Sequence, residues 1–144
     1  MRGMGGRVTY IAPDWSEIRV RLRLKLRTRN YVGTIVGGSL YGSVDPYYML
    51  MLMQRLGDDY VVWDKAATIQ FKRPAHRTVY ATFRISDEDL AEISQSAAER
   101  GELDRTFVVD LVDQDGVRYA TVEKVLYIAT REAYVARARA RKQN

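Results

Sequence analysis

Cysteine is absent from this 144-residue chain, and histidine occurs once, at His76. The first absence excludes disulfides, thiolate metal sites and thiol nucleophiles. The second excludes dyads and metal clusters built on several imidazoles, which removes a large share of hydrolytic chemistries. No metal and no cofactor is indicated by what remains. The chain also has no run of eighteen apolar residues, so no membrane span is expected. Its start, MRGMGGRVTY, has no apolar stretch long enough for a secretory signal, and a cytoplasmic protein is the default expectation.

Hydrophobic residues make up 47% of the chain, enough for one domain with a sizeable core. No internal repeat or linker divides it, which suggests a single domain over residues 1–130 followed by a basic tail at 131–144. That tail holds Arg131, Arg137, Arg139, Arg141 and Lys142 against Glu132, a net of +4 out of the chain's +5. The body is therefore close to neutral, and no specific nucleic-acid partner is expected. The tail reads as a solvated extension, helical by virtue of Ala133, Ala136, Ala138 and Ala140.

Residues 18–27, IRVRLRLKLR, alternate strictly. Ile18, Val20, Leu22, Leu24 and Leu26 face one way and five basic residues the other, which predicts a half-buried strand. Acidic cross-strand neighbours are expected to offset the basic face. A helix is predicted from about Gly38 to Leu56, capped by Gly57. Strands follow at 60–72 and 77–85, then a helix opened by Ser86 and Asp89 and closed by Gly101. Residues 105–113 and 117–130 predict a hairpin around Asp115-Gly116, and a short strand at 7–12 precedes everything.

Adjacent strands joined by short turns indicate an antiparallel sheet. In the first helix Leu40, Tyr47, Met49, Leu50, Met51, Leu52 and Met53 do not fall on one stripe, so burial on most sides is expected. An α+β architecture meets both demands when one antiparallel sheet wraps around a long central helix. That is the hotdog fold.

Residues 30–45, NYVGTIVGGSLYGSVD, then take on a particular spacing: Asn30, Gly33-Thr34, Gly37-Gly38 and Asp45. This resembles the signature of hotdog-fold acyl-CoA thioesterases of the phenylacetyl-CoA thioesterase type, and the chain as a whole is similar to an uncharacterised branch of that superfamily. The segment DKAATIQFKRPA, 64–75, looks like the family's next strand and its proline-ended turn. One position departs: Val36 stands where the family has a histidine that helps bind or orient the thioester. The resemblance implies hydrolysis of an acyl-CoA or acyl-carrier thioester by a homodimer, or dimer of dimers, with its sites at the subunit interface.

The physics of glycine at a helix start fits such chemistry. Backbone N–H groups there lack intrahelical partners, and a residue without a side chain lets a carbonyl approach them. The positive end of the helix dipole favours charge developing on that oxygen, so Gly37 and Gly38 are candidates to polarise a thioester. Simple close packing of helix on sheet is the structural alternative. Asp45 lies eight residues beyond Gly37, about 12 Å along a helix. If both are catalytic, Asp45 must act from a second subunit, as a general base on water. Asp45-Pro46 could equally be a helix cap followed by a first-turn proline.

Asn30 could donate to the thioester carbonyl or cap a turn. Asp64 and Lys65 form a further candidate pair beside the pocket, with an ordinary ion pair as the alternative. Lys72, Arg73, His76 and Arg77 surround Pro74 and could meet coenzyme A phosphates, or be solvated turn residues. The competing function is a non-catalytic acyl-CoA or fatty-acyl binding protein, which Val36 favours. A hotdog dehydratase would need a histidine facing the acyl chain.

Overall fold

The computed structural model describes residues 6–22, 46–73 and 77–143. Within them run β1 (Gly6–Ile11), β2 (Glu17–Leu22), α1 (Tyr47–Leu56), β3 (Tyr60–Phe71), β4 (Val79–Arg84), α2 (Asp87–Arg100), β5 (Glu102–Val112), β6 (Arg118–Thr130) and α3 (Arg131–Gln143). The six strands form one antiparallel sheet in the order β1-β2-β4-β5-β6-β3. The class is α+β, as the alternating patterns predict.

Period-two alternation sets the inner face. Ile18, Val20 and Leu22 of β2 oppose Phe83, Ala81 and Val79 of β4. Val109 and Leu111 of β5 oppose Val122 and Ala120 of β6. All ten are buried in one hydrophobic cluster. Between β4 and β5, by contrast, the ladder is the single pair Tyr80–Val112. The sheet has a seam there, and α1 closes it. Tyr48 lies 5.1 Å edge-on to Phe83 of β4 and stacks 4.7 Å from Phe107 of β5, while Tyr47 lies 5.1 Å from Phe83. Each such ring pair adds about 0.5–1.5 kcal/mol beyond the area buried. The Tyr48 hydroxyl donates to the Val108 carbonyl at 3.2 Å, so the buried phenol is satisfied. Burial pushes its pKa far up and keeps it neutral.

The helix predicted over 38–56 is observed from Tyr47, the segment before Pro46 lying outside the described residues. Its burial differs from the expectation. Tyr47, Tyr48, Met51 and Leu52 form one buried stripe, whereas Leu50 and Met53 are exposed by 37% and 49%. The helix lies on one face of the sheet, and one stripe is what one face can cover. Its last turn is tied down by Arg55, which donates to the Ile85 carbonyl and pairs with Asp87, both at 2.5 Å.

α2 starts as its capping residues predict. Ser86 accepts from the Asp89 N–H at 3.0 Å and Asp89 accepts from the Ser86 N–H at 3.2 Å, a complete capping box. On the outer face Glu17 neutralises Arg19 and Arg84, each at 2.7 Å. The acidic cross-strand neighbours expected for the basic face are not found beside Arg19 and Arg21: Glu17 is on β2 itself, Arg19 stands opposite Tyr10 and Thr82, and Arg21 opposite Arg7 and Tyr80.

The basic segment from 131 is helical, and it is docked. Tyr134 meets Trp63 edge-on at 5.4 Å, Trp63 stacks on Tyr127 at 4.5 Å, and Arg137 pairs with Glu102 at 2.6 Å. Glu102 also accepts from the Tyr127 hydroxyl. Gly101, at φ +84°, sits under this helix: a Cβ there would lie 2.9 Å from the Ala133 Cβ. Gly116, at φ +82° in the β5–β6 turn, has open space around it. Alanine at either position meets the left-handed penalty of roughly 1–2 kcal/mol. Gly101→Ala must also displace α3, so its thermal midpoint is expected below that of Gly116→Ala. Equal losses would show that α3 does not rest on Gly101.

Candidate functional site

Asn30, Val36, Gly37, Gly38, Asp45 and His76 lie outside the described residues. What the structure shows is the wall on which α1 begins. Pro46 occupies the cap position with φ −90° and ψ −7°, and its carbonyl accepts the Leu50 N–H at 3.0 Å. Pro46 therefore stands at the helix start, where proline's missing N–H costs nothing.

Asp64 and Lys65 are adjacent in sequence but do not pair with each other. A β-bulge falls between Asp64 and Ala66 of β3, so Asp64 opposes Leu126 and Ala67 opposes Lys124. Asp64 thus shares the inner face, where its Oδ1 lies 3.0 Å from Lys124 Nζ. The contact is one of charge rather than an aligned hydrogen bond, since Oδ1 has no hydrogen-bonded partner. Lys65 leaves on the outer face and pairs with Asp104 at 2.7 Å. Neighbouring strand residues point to opposite faces, which separates the two.

Lys124 is the residue that sequence reading passed over. It is fully buried, in line with Val122 and Leu126 on the inner face of β6. The signal was present: Ala120, Val122, Leu126 and Ile128 share its parity, so an inward lysine was implied.

A second polar centre lies at the β5–β6 turn. The backbone N–H groups of Lys72 and Arg73 donate to the Tyr119 carbonyl at 2.9 and 3.4 Å, and the Lys72 ammonium donates to Gln70. The Tyr119 hydroxyl donates to Asp113 at 3.1 Å. Asp113 also accepts from the N–H groups of Asp115 and Val117 at 2.9 and 3.0 Å, and Arg77 stands 3.7 Å away. Beside it opens a pocket of about 370 Å³ lined by Arg77, Thr78, Tyr80, Asp113 and Gln114. Arg77 is already held by Asp113 and by Asp115, the latter at 2.8 Å, so a phosphate gains little from it. Lys72 and Arg73 are the cations at this end with no carboxylate partner among the described residues.

Burial alone would raise the Asp113 carboxyl, but the Val117 and Asp115 N–H groups, the Tyr119 hydroxyl and Arg77 outweigh it and hold the pKa below its ordinary value. A lowered folded pKa stabilises above the unfolded value and ceases to do so as pH falls through the folded one. Asp113→Ala is expected to lower the thermal midpoint at neutral pH, with the gap to wild type closing on acidification below the ordinary carboxylate range. A gap independent of pH would mean that the ionised carboxylate is not what holds the turn.

The family described as Domain of unknown function (DUF4442) matches residues 1–128. No curated protein matches the chain. A Pseudomonas aeruginosa protein of unknown function, designated a probable thioesterase, has a similar structure at 21% identity and TM-score 0.76, covering 90% of this chain and 85% of that one. A Chlorobaculum tepidum protein of unknown function is similar at 13% identity and TM-score 0.72, covering 90% and 85%. A Haemophilus influenzae thioesterase is similar at 13% identity and TM-score 0.64, covering 90% and 81%. At such identities the likeness shows a shared fold, and these are hotdog-fold proteins.

Proposed function

The chain belongs to the DUF4442 family, and from that premise we propose that it hydrolyses an acyl-CoA or acyl-carrier thioester. The observation that carries this reading is the start of α1 at Pro46, directly after the Asn30–Asp45 spacing, in a fold shared with proteins named as thioesterases. Among the described residues no helix is long and apolar enough to cross a membrane. A small-molecule thioester is the substrate class this supports.

In the proposed mechanism the thioester carbonyl is held by the Gly37 N–H, with Gly38 leaving room for it and Asn30 donating a second hydrogen bond. Asp45 removes a proton from water as that water attacks the carbonyl carbon. Negative charge moves onto the carbonyl oxygen, where the backbone donors meet it. The intermediate collapses to the carboxylic acid, and the thiolate leaves and takes up a proton. In this proposal Asp45 comes from a second copy of the chain, and the unit is a homodimer or a dimer of dimers. The exposed Leu50 and Met53 on α1 are apolar surface that a second copy would cover. In this proposal Lys72 and Arg73 meet the coenzyme A phosphates at the turn.

Val36, where the phenylacetyl-CoA thioesterase-type signature that the sequence resembles has histidine, favours a second reading as a non-catalytic acyl-CoA or fatty-acyl binding protein. Hydrolysis of an acyl-CoA panel by wild type, Asp45→Asn and Asp45→Ala separates the two. Turnover by wild type, lost by about 10²-fold or more in both variants with the oligomer intact by light scattering, is the expected result. Saturable binding without turnover on any substrate would move the protein to the second reading.

A further inference from the structure

The outer face of the sheet carries positive charge that its own strands do not balance. Register sets Arg7 of β1, Arg21 of β2 and Tyr80 of β4 side by side, with Val112 of β5 next in the row. Val20 and Leu22 point into the core, so Arg21 and the residues directly opposite it point outward. Like charges directly opposite each other destabilise a ladder unless something neutralises them. Neither Arg7 nor Arg21 has a carboxylate within ion-pair reach among the described residues. Glu17, the acid on the same face of β2, already holds Arg19 and Arg84.

Arg21 carries a second sign. Its side chain is half-buried, and its Nε is shielded from solvent with no hydrogen-bond partner among the described residues. A shielded donor without an acceptor is costly, and more so on a charged group. An anion between Arg7 and Arg21 answers both deficits, since the Arg21 guanidinium can turn to it and the two like charges gain a common partner. A phosphate group suits this place better than one carboxylate. Two cations call for a doubly charged partner, and its oxygens accept from two guanidinium forks at once.

The same row leads to space for more than an ion. Tyr80 lines the cavity of about 370 Å³, where Thr78 and Gln114 add a hydroxyl and an amide. That volume falls in the range of small-molecule sites, roughly 300–1,000 Å³.

We propose that Arg7 and Arg21 form a binding site for a phosphate group, either inorganic phosphate or the phosphate of a small ester whose body enters the cavity beside Tyr80. The site lies on the opposite face of the sheet from α1, and it stands or falls independently of the hydrolase reading.

The test measures the thermal midpoint and calorimetric binding of the full chain with inorganic phosphate and with phenyl phosphate, against sodium chloride at equal ionic strength. Wild type is compared with Arg7→Gln, Arg21→Gln and, as a control for overall charge, Arg139→Gln on α3. A ligand that binds the folded chain raises the midpoint with its concentration. Wild type and Arg139→Gln are expected to respond to phosphate beyond chloride, while Arg7→Gln and Arg21→Gln bind at least about 10-fold more weakly. In chloride alone those two variants are expected to melt at or above wild type, because one of two opposed charges is gone. Phenyl phosphate bound about 10-fold tighter than inorganic phosphate would identify an ester as the ligand, and equal or weaker binding the free ion.

A wild type that responds to neither probe beyond chloride would overturn the site. Wild-type affinity in Arg7→Gln and Arg21→Gln would do the same. So would an equal loss in Arg139→Gln, which reduces the effect to net charge, or midpoints far below wild type in chloride, which make the two arginines structural.

Discussion

The seam between β4 and β5 needs a clamp, because among the described residues one pair, Tyr80–Val112, is the ladder that joins the two strands. Tyr48 supplies it by touching Phe83 on one side and Phe107 on the other, with Tyr47 adding a second contact to Phe83. These rings are rigid and fully buried, so they leave α1 little freedom to slide or rotate. Aromatic packing thus holds the first turn of the helix in place. Whatever chemistry the chain performs at that start inherits its placement from this lock. At the other end Arg55 ties the last turn of α1 to the beginning of α2, so the helix is held at both ends.

Among the described residues Asp113 and Lys124 are the buried charges, and they differ in kind. Asp113 is satisfied on all sides by its own turn: two backbone N–H groups, a phenol and a nearby guanidinium, all within a short hairpin and the segment beside it. Such a carboxylate shapes a tight turn and has no capacity left for a ligand. Lys124 and Asp64 meet across two strands, at a bulge, with the acid partly open. The hydroxyl of Tyr48, held neutral and bonded to Val108, belongs with Asp113 as a structural group.

Much of the fold was legible in local chemistry. Ser86, Asp89 and Gly101 bracket α2, Asp115-Gly116 marks the hairpin, and strict alternation placed Ile18, Val20 and Leu22 inside. What escaped was relational. Asp64 and Lys65 invite pairing because they are neighbours, yet a strand sends neighbours to opposite faces and a bulge sharpened the separation. Lys124 could be placed inward by parity, but that Asp64, which stands opposite Leu126, lies 3.0 Å from its ammonium shows only in three dimensions. The tail was read as solvated because its charges dominate its composition, while Tyr134 meets Trp63 and Arg137 pairs with Glu102. The residues that carry the proposed chemistry, from Asn30 to Asp45, lie outside the described portion, so their roles rest on spacing and on where α1 begins.

The central claim is a thioester site shared between two subunits, and active-site complementation tests it most directly. Asp45→Ala and Gly37→Val subunits, each inactive alone, would be co-expressed and acyl-CoA hydrolysis by the purified mixture measured. In a shared site a mixed dimer rebuilds one intact centre from Gly37 of one subunit and Asp45 of the other. Random mixing then restores roughly a quarter of wild-type turnover. A mixture as inactive as its parents, with mixed dimers shown to be present, would contradict the account, because both groups would then have to act within one chain.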